Sequence, residues 1–212
     1  MDNNSLKFNN GHNRTNLNMQ LFQKFNEEIK IALKDDSERY WHSISVAITA
    51  VNLADIYGVD KDNCMVAGIL HDYCKCLSLD EMLSMCEKYN VILTEEDKNA
   101  DGCIHGFLAA KVCKEKFNIN DEVYNAIYYH TCGRPNMTTL EKIIYISDFI
   151  EPLRRFRDKV EEVRKLAYTD IDKAIVLSAK MGLDFLQRTN KFIHSNTQKT
   201  LDYYIKLTEA KW

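Results

Sequence analysis

Apolar residues recur at three- and four-residue intervals along almost the whole chain, and stretches that alternate apolar with polar are rare. The pattern predicts an all-α protein, a bundle of about eight to ten helices. A first helix covers 19–33. Ser37 caps a long second helix through Trp41, Ile44, Ile48 and Val51, which Gly58 ends. Asp60 opens a third helix, whose apolar run 65–70 leads into His71 and Asp72. Ser78 and Glu81 form a capping box for 79–89, and Thr94 to Asp97 open a short turn. Asp101 begins a helix that reaches Phe117, and Asn120 caps another that reaches His130. Cys132 to Asn136 form a loop, after which Thr138, with Glu141, caps 139–150. Pro152 suits the first turn of a short segment over 153–156, ahead of a charged amphipathic helix over 158–168. Helices over 170–193 and 197–209 close the chain, with His194 at a surface or helix-end junction.

Composition narrows the picture only modestly. Residues 1–17 are polar and Asn-rich and read as a disordered tail that includes His12; 18–212 read as a single domain. Lys and Arg number 28 against 31 Asp and Glu, a net charge of −3, which gives no broad pull toward nucleic acid or anionic membranes. The start lacks an apolar leader, and no run approaches the roughly 20 apolar residues of a membrane span. Seven cysteines, an odd number, point to free thiols and a reducing cytoplasm. Cys74 and Cys76 read as small, partly buried side chains, with a thiolate metal site as the alternative. Leu201, Tyr204 and Ile205 on the last helix suit either a homodimer contact or the core.

The chemistry concentrates at His71 and Asp72, polar neighbours at the end of an apolar run. Burying such a pair is costly unless something compensates, and a divalent cation does so well. His42, His105, His130 and Asp148 share helix faces with apolar residues, so all are expected to face the core beside His71. For any one histidine, a hydrogen-bonded core imidazole is the simpler explanation. Four of the six histidines showing the pattern, with two aspartates, favours a metal site. The nitrogen and oxygen donors suit an open site for iron or manganese, with magnesium as an alternative. Six ligands exceed the needs of one ion. Two ions bridged by Asp72, generating hydroxide for phosphoester hydrolysis, is the economical arrangement. Lys75 is placed to clamp phosphate or to protonate a leaving group. Arg154 lies within reach of the same pocket, as does Arg39, one turn before His42. Arg134, Arg155 and Arg157 are as well explained as surface charges, and Glu151 is expected to orient Arg154 or a metal-held water.

These residues resemble the HD-domain metal-dependent phosphohydrolases. The motifs His71-Asp72-Tyr73-Cys74-Lys75, His130-Thr131-Cys132-Gly133 and Ser147-Asp148-Phe149-Ile150-Glu151-Pro152-Leu153-Arg154, with His105 between them, are similar to the bacterial YqeK group of symmetrical diadenosine-tetraphosphate hydrolases. The likeness runs over about 20–207. It implies an HD fold, a di-iron centre and cleavage of diadenosine tetraphosphate to two ADP by a metal-bridging hydroxide. It also implies His42, His71, Asp72, His105, His130 and Asp148 as ligands, Asp72 and Lys75 as catalytic groups, and Lys75 and Arg154 on the phosphates. Thr131 and Gly133 are expected near a terminal ADP unit. Cys132 and Ser147 depart from the Thr and Ala expected there, which bears on substrate detail rather than on the ligand set. The competing readings are an HD-type hydrolase of another nucleotide, a non-catalytic metal-stabilised nucleotide sensor, and a purely structural bundle.

Overall fold

The structure is a computed structural model and describes residues 17–154 and 160–210. Among these residues there are eleven helices: α1 (Met19–Ala32), α2 (Ser37–Tyr57), α3 (Lys61–Leu70), α4 (Leu79–Lys88), α5 (Glu95–Asn99), α6 (Asp101–Phe117), α7 (Asp121–Tyr129), α8 (Thr139–Ile150), α9 (Val160–Ala167), α10 (Ile171–Arg188) and α11 (Ser195–Glu209). The helix beyond the expected eight to ten is α5. Thr94 and Asp97 cap each other there, and five residues close a helix instead of a turn. No helix is long and apolar enough to cross a membrane among the described residues. The tail over 1–16, with His12, and the calls on Arg155, Phe156, Arg157 and Asp158 lie outside the described residues.

Helix α2 packs on α3 and α8, α7 packs on α3, α6 and α8, and α10 packs on α8, α9 and α11. Ile29, Leu53, Met65, Ile69, Leu70, Ile104, Leu108, Ile127 and Ile143 are fully buried between them. Each such side chain contributes about 1.5–3 kcal/mol. Tyr204 and Leu201 of α11 are buried and Ile205 packs against Leu201's cluster, so that face completes the interior.

Caps explain most boundaries, and four correct the sequence expectation. Asp36 caps α2 in place of Ser37, because its carboxylate accepts the Arg39 amide at 2.8 Å. Glu141 does not complete a capping box with Thr138, since Arg134 holds its carboxylate in two hydrogen bonds of 2.8 Å. Helix α10 ends at Arg188, short of 193, where Asn190 takes a left-handed φ of 50°. Helix α11 begins at Ser195, two residues early, because the His194 ring accepts the Asn196 amide. In a chain with only seven glycines, Asn90, Asn118, Asn136 and Asn190 take the left-handed positions that glycine usually fills.

Candidate metal centre

Two helix crossings set the site. A Cβ on Gly68 would lie 2.6 Å from the Cα of Ala47, so only glycine lets α3 lie this close to α2. That approach puts His42 Nε2 3.3 Å from His71 Nε2. A Cβ on Gly106 would lie 3.0 Å from the His130 ring, so α6 leaves room for that imidazole over its backbone. His105 Nε2 and His130 Nε2 are consequently 3.0 Å apart.

Asp72 joins the two histidine pairs. Helix α3 ends at Leu70, and successive turns after His71 swing Asp72 onto the same side. Its Oδ2 lies 3.7 Å from His42 Nε2 and 3.4 Å from His71 Nε2, while its Oδ1 lies 3.0 Å from His105 Nε2 and 3.7 Å from His130 Nε2. Asp148 Oδ1 completes the first group, 3.0 Å from His42 Nε2 and 3.7 Å from His71 Nε2. His42, His71 and Asp72 form one buried trio of potential ligands, and Asp72, His105 and His130 form another. All six expected ligands therefore meet. Asp148 differs from the expectation in one respect: it stands at the cavity wall rather than fully in the core, with its side chain 23% exposed.

The outward nitrogens decide what the inward ones can do. His71 and His130 sit at the C-terminal ends of α3 and α7, and each Nδ1 donates at 2.7 Å to a carbonyl three residues back, of Gly68 and Ile127. His42 Nδ1 donates to the buried Glu151 Oε1 at 3.1 Å. With Nδ1 carrying the proton, the neutral ring presents a bare Nε2. Three imidazole nitrogens thus converge on carboxylate oxygens, a crowd of acceptors that Arg39, Arg154 and Thr131 meet only from the rim and that a cation would relieve. A divalent metal ion fits this donor set, which carries no thiolate.

The protein's charges respond to the crowding. Burial would lower His71, but the Asp72 and Asp148 carboxylates outweigh it and lift it to about 10, so without metal a proton stands in for the cation. Burial and the neighbouring His105 and His71 push His130 down to about 3, and burial also lowers His105. Burial opposes ionisation of Asp72 and Asp148, yet His71 and His105 around the first and Arg154 and His42 around the second hold both well below the carboxylate range.

Cations ring the mouth. Arg39 donates to Asp72 Oδ2 at 2.8 Å, Arg154 to Asp148 Oδ1 at 2.7 Å, and Lys75 Nζ sits 3.2 Å from His105 Nδ1. Burial, with Arg39 nearby, holds Lys75 below the ordinary lysine range against the pull of Asp72. All three line a cavity of about 330 Å³ together with Asp72, His105, His130, Thr131 and Asp148. Thr131 Oγ1 donates to His130 Nε2 at 3.0 Å. Gly133 does not line the cavity; it turns the chain at a φ of +67°, where a Cβ would meet Thr200 at 2.8 Å. Glu151 lies 3.9 Å from Arg154 Nε, as expected of it, and in addition orients His42 and accepts the Leu153 amide at 2.7 Å.

His194 stands at a helix end, as one of its two expected placements had it, but it is not at the surface. His194 is buried and lines the cavity; its Nε2 donates to Asp97 Oδ1 at 2.9 Å, while Glu96 accepts the Ser195 amide and hydroxyl at 2.6 and 3.0 Å. These bonds tie α5 to the start of α11. Nothing local in the sequence marks the pairing, because 97 residues separate the partners.

A family model described as "HD domain" matches residues 39–153. The symmetrical bis(5'-nucleosyl)-tetraphosphatase of Bacillus subtilis is 37% identical over 168 residues, 79% of this chain and 89% of that protein. The enzyme of the same name from Halalkalibacterium halodurans is 40% identical over 165 residues, 76% of this chain and 86% of that protein. A crystal structure from Clostridium acetobutylicum, described as that of a predicted HD superfamily hydrolase involved in NAD metabolism, superposes with a TM-score of 0.82 at 37% identity, covering 87% of this chain and 97% of that one. With the histidine and aspartate pairs assembled as above, the chain belongs to the HD-domain family and to its group of symmetrical bis(5'-nucleosyl)-tetraphosphatases.

Proposed function

We propose that this chain hydrolyses diadenosine tetraphosphate symmetrically, to two ADP, with two metal ions held on either side of Asp72. His42, His71, Asp148 and Asp72 Oδ2 would hold one, and His105, His130 and Asp72 Oδ1 the other. Iron or manganese suits the donors, with magnesium as an alternative. The observation that carries the reading is the division of the Asp72 carboxylate between two histidine pairs. When bound, such ions supply Lewis acidity and lower the pKa of water.

The chain's own residues supply the rest. Arg39, Lys75 and Arg154 offer cationic donors to the phosphates along one wall and oppose the charge that grows on them in the transition state. Lys75, kept below the ordinary lysine range, is suited to hand a proton to the departing diphosphate oxygen. Glu151 and the Gly68 and Ile127 carbonyls fix the rings of His42, His71 and His130. Thr131, at the cavity wall beside His130, is placed to touch the same phosphates. The cysteines, all free, suit a reducing compartment such as the cytoplasm. The reading calls for no nucleic acid, no membrane and no second subunit.

The test is chromatographic product analysis after incubating iron- or manganese-loaded protein with diadenosine tetraphosphate and a nucleotide panel. ADP as sole product is expected. ATP with AMP would overturn the symmetric cut, preferential turnover of another nucleotide would overturn the substrate, and binding without product would favour a sensor.

A further inference from the structure

Helix α8 ends with its last carbonyls deprived of their usual donors. Pro152 has no N–H to give, and the Leu153 amide turns to the Glu151 carboxylate at 2.7 Å. The Arg154 amide, which a continuing helix would aim at the Ile150 carbonyl, bonds the Glu151 carbonyl at 3.0 Å instead. Arg164 fills the gap from α9. Its Nε donates to the Ile150 carbonyl at 2.7 Å, and its Nη2 reaches the Glu151 carbonyl at 3.0 Å and the Arg154 carbonyl at 3.5 Å. One guanidinium therefore spans the whole turn after α8, at a helix end whose partial negative charge suits a cation.

What that turn carries gives the clasp its interest. Glu151, buried, holds His42 Nδ1 at 3.1 Å, and Arg154 donates to Asp148 Oδ1 at 2.7 Å. Both act on the side of the centre formed by His42, His71 and Asp148. The opposite side is anchored elsewhere, with His130 fixed by the Ile127 carbonyl of α7. Helix α9 presents Arg164 inward. Val160, Val163 and Ala167 are buried, and Arg164 shares their face, its side chain only 25% exposed. Glu161 accepts from Arg164 Nη1 and steadies the fork from the solvent side.

We infer that Arg164 is a positioning residue for the reaction. By clasping the Ile150, Glu151 and Arg154 carbonyls it holds Glu151 on His42 and Arg154 on Asp148, and so sets one of the two metal-binding groups from outside the cavity. The chemistry calls for arginine: a planar fork of donors meets several acceptors along one turn, whereas a lysine supplies the charge at a single point. The inference rests on the metal-centre reading of the site.

Arg164→Ala removes the clasp, and Arg164→Lys keeps the charge without the fork. Tyr57→Phe is the control: the Tyr57 hydroxyl donates to the Ala167 carbonyl at 2.8 Å, so this variant loosens the far end of the same helix and leaves the turn alone. Chelator competition on iron- or manganese-loaded protein, and hydrogen exchange over 147–154 in metal-free protein, would compare all three with wild type. Arg164→Ala is expected to exchange at least about 10-fold faster over 147–154. It should also hold one of two metal equivalents at least about 10-fold more weakly, with the other held as before. Arg164→Lys should fall between, and carries the same comparison if the alanine variant does not fold. Tyr57→Phe should match wild type in both readouts although it melts lower. Faster exchange with unchanged metal affinity makes Arg164 a helix cap only and overturns the inference, as does equal weakening of both equivalents or the same weakening in Tyr57→Phe. A wild type that takes up no metal overturns the metal-centre reading instead; exchange over 147–154 in Arg164→Ala against Tyr57→Phe still decides the clasp.

Discussion

Gly68→Ala tests whether helix packing builds the metal centre. The added methyl would lie 2.6 Å from Ala47 Cα and 2.9 Å from Ala47 N, both backbone atoms that no rotamer change can move. Ordinary contact begins near 3.4 Å, so α2 and α3 must part by about 0.8 Å or distort. Overpacking of this kind costs ~1–3 kcal/mol, which for a chain this size lowers the melting temperature by about 2–12 °C and leaves the protein folded. The same displacement acts on His42 and His71, whose Nε2 atoms are 3.3 Å apart across that crossing. Metal–ligand distances tolerate only about ±0.2 Å, so affinity should fall by at least ~10-fold. Scanning calorimetry and elemental analysis after dialysis against a weak chelator would measure both. Gly182→Ala is the stability control: its methyl meets nothing within 4 Å, and it should melt slightly higher. A Gly68→Ala protein that melts within about 1 °C of wild type and keeps its metal would refute the argument that this crossing positions the two histidines.

Asp72→Ala removes the carboxylate common to both trios, so bound metal and turnover should vanish together; retained turnover in purified protein would contradict the assignment. Glu151→Gln takes the charge from the group that holds His42, and chelator competition should show about 10–100-fold weaker metal binding. For metal-free protein, His71 at about 10 lies above its unfolded value of 6.5. That contribution to stability is complete below pH ~6.5 and is lost as pH rises toward about 10, so melting temperature should fall across this window, and less so for metal-loaded protein. His194→Ala removes both the Asp97 bond and the cap of α11, at about 2 kcal/mol, and should lower melting by about 4–8 °C with metal content intact.

What could be read from the sequence follows from how local each determinant is. Helices announce themselves through three- and four-residue spacing, and the caps at Asn120, Ser78 and Asp60 satisfy donors only three residues away. Asp36 outcompeted Ser37 because two adjacent cap formers were offered and only one sits at the right φ and ψ. The ligands were legible because each polar residue interrupts an apolar face. Their convergence on Asp72 depends on Gly68 and Gly106, whose meaning is invisible until the opposing backbone is known. Glu151 pairs with His42 across 109 residues, which no spacing rule reaches.

The fold favours a cation here for a reason beyond the six side chains. Helices α3 and α7 end directly at His71 and His130, and α8 ends within two residues of Asp148. Each helix C-terminus carries roughly half a negative charge. Three such ends therefore meet beside two carboxylates that ionise well below their usual range. The Gly68 and Ile127 carbonyls belong to those same last turns, and by accepting Nδ1–H they fix which face of each ring is bare. Backbone geometry thus sets both the local potential and the tautomer. Within that setting burial pushes His71 down, yet the Asp72 and Asp148 carboxylates lift it to about 10, while burial and the crowding His105 and His71 push His130 down to about 3: without metal, one proton takes the cation's place.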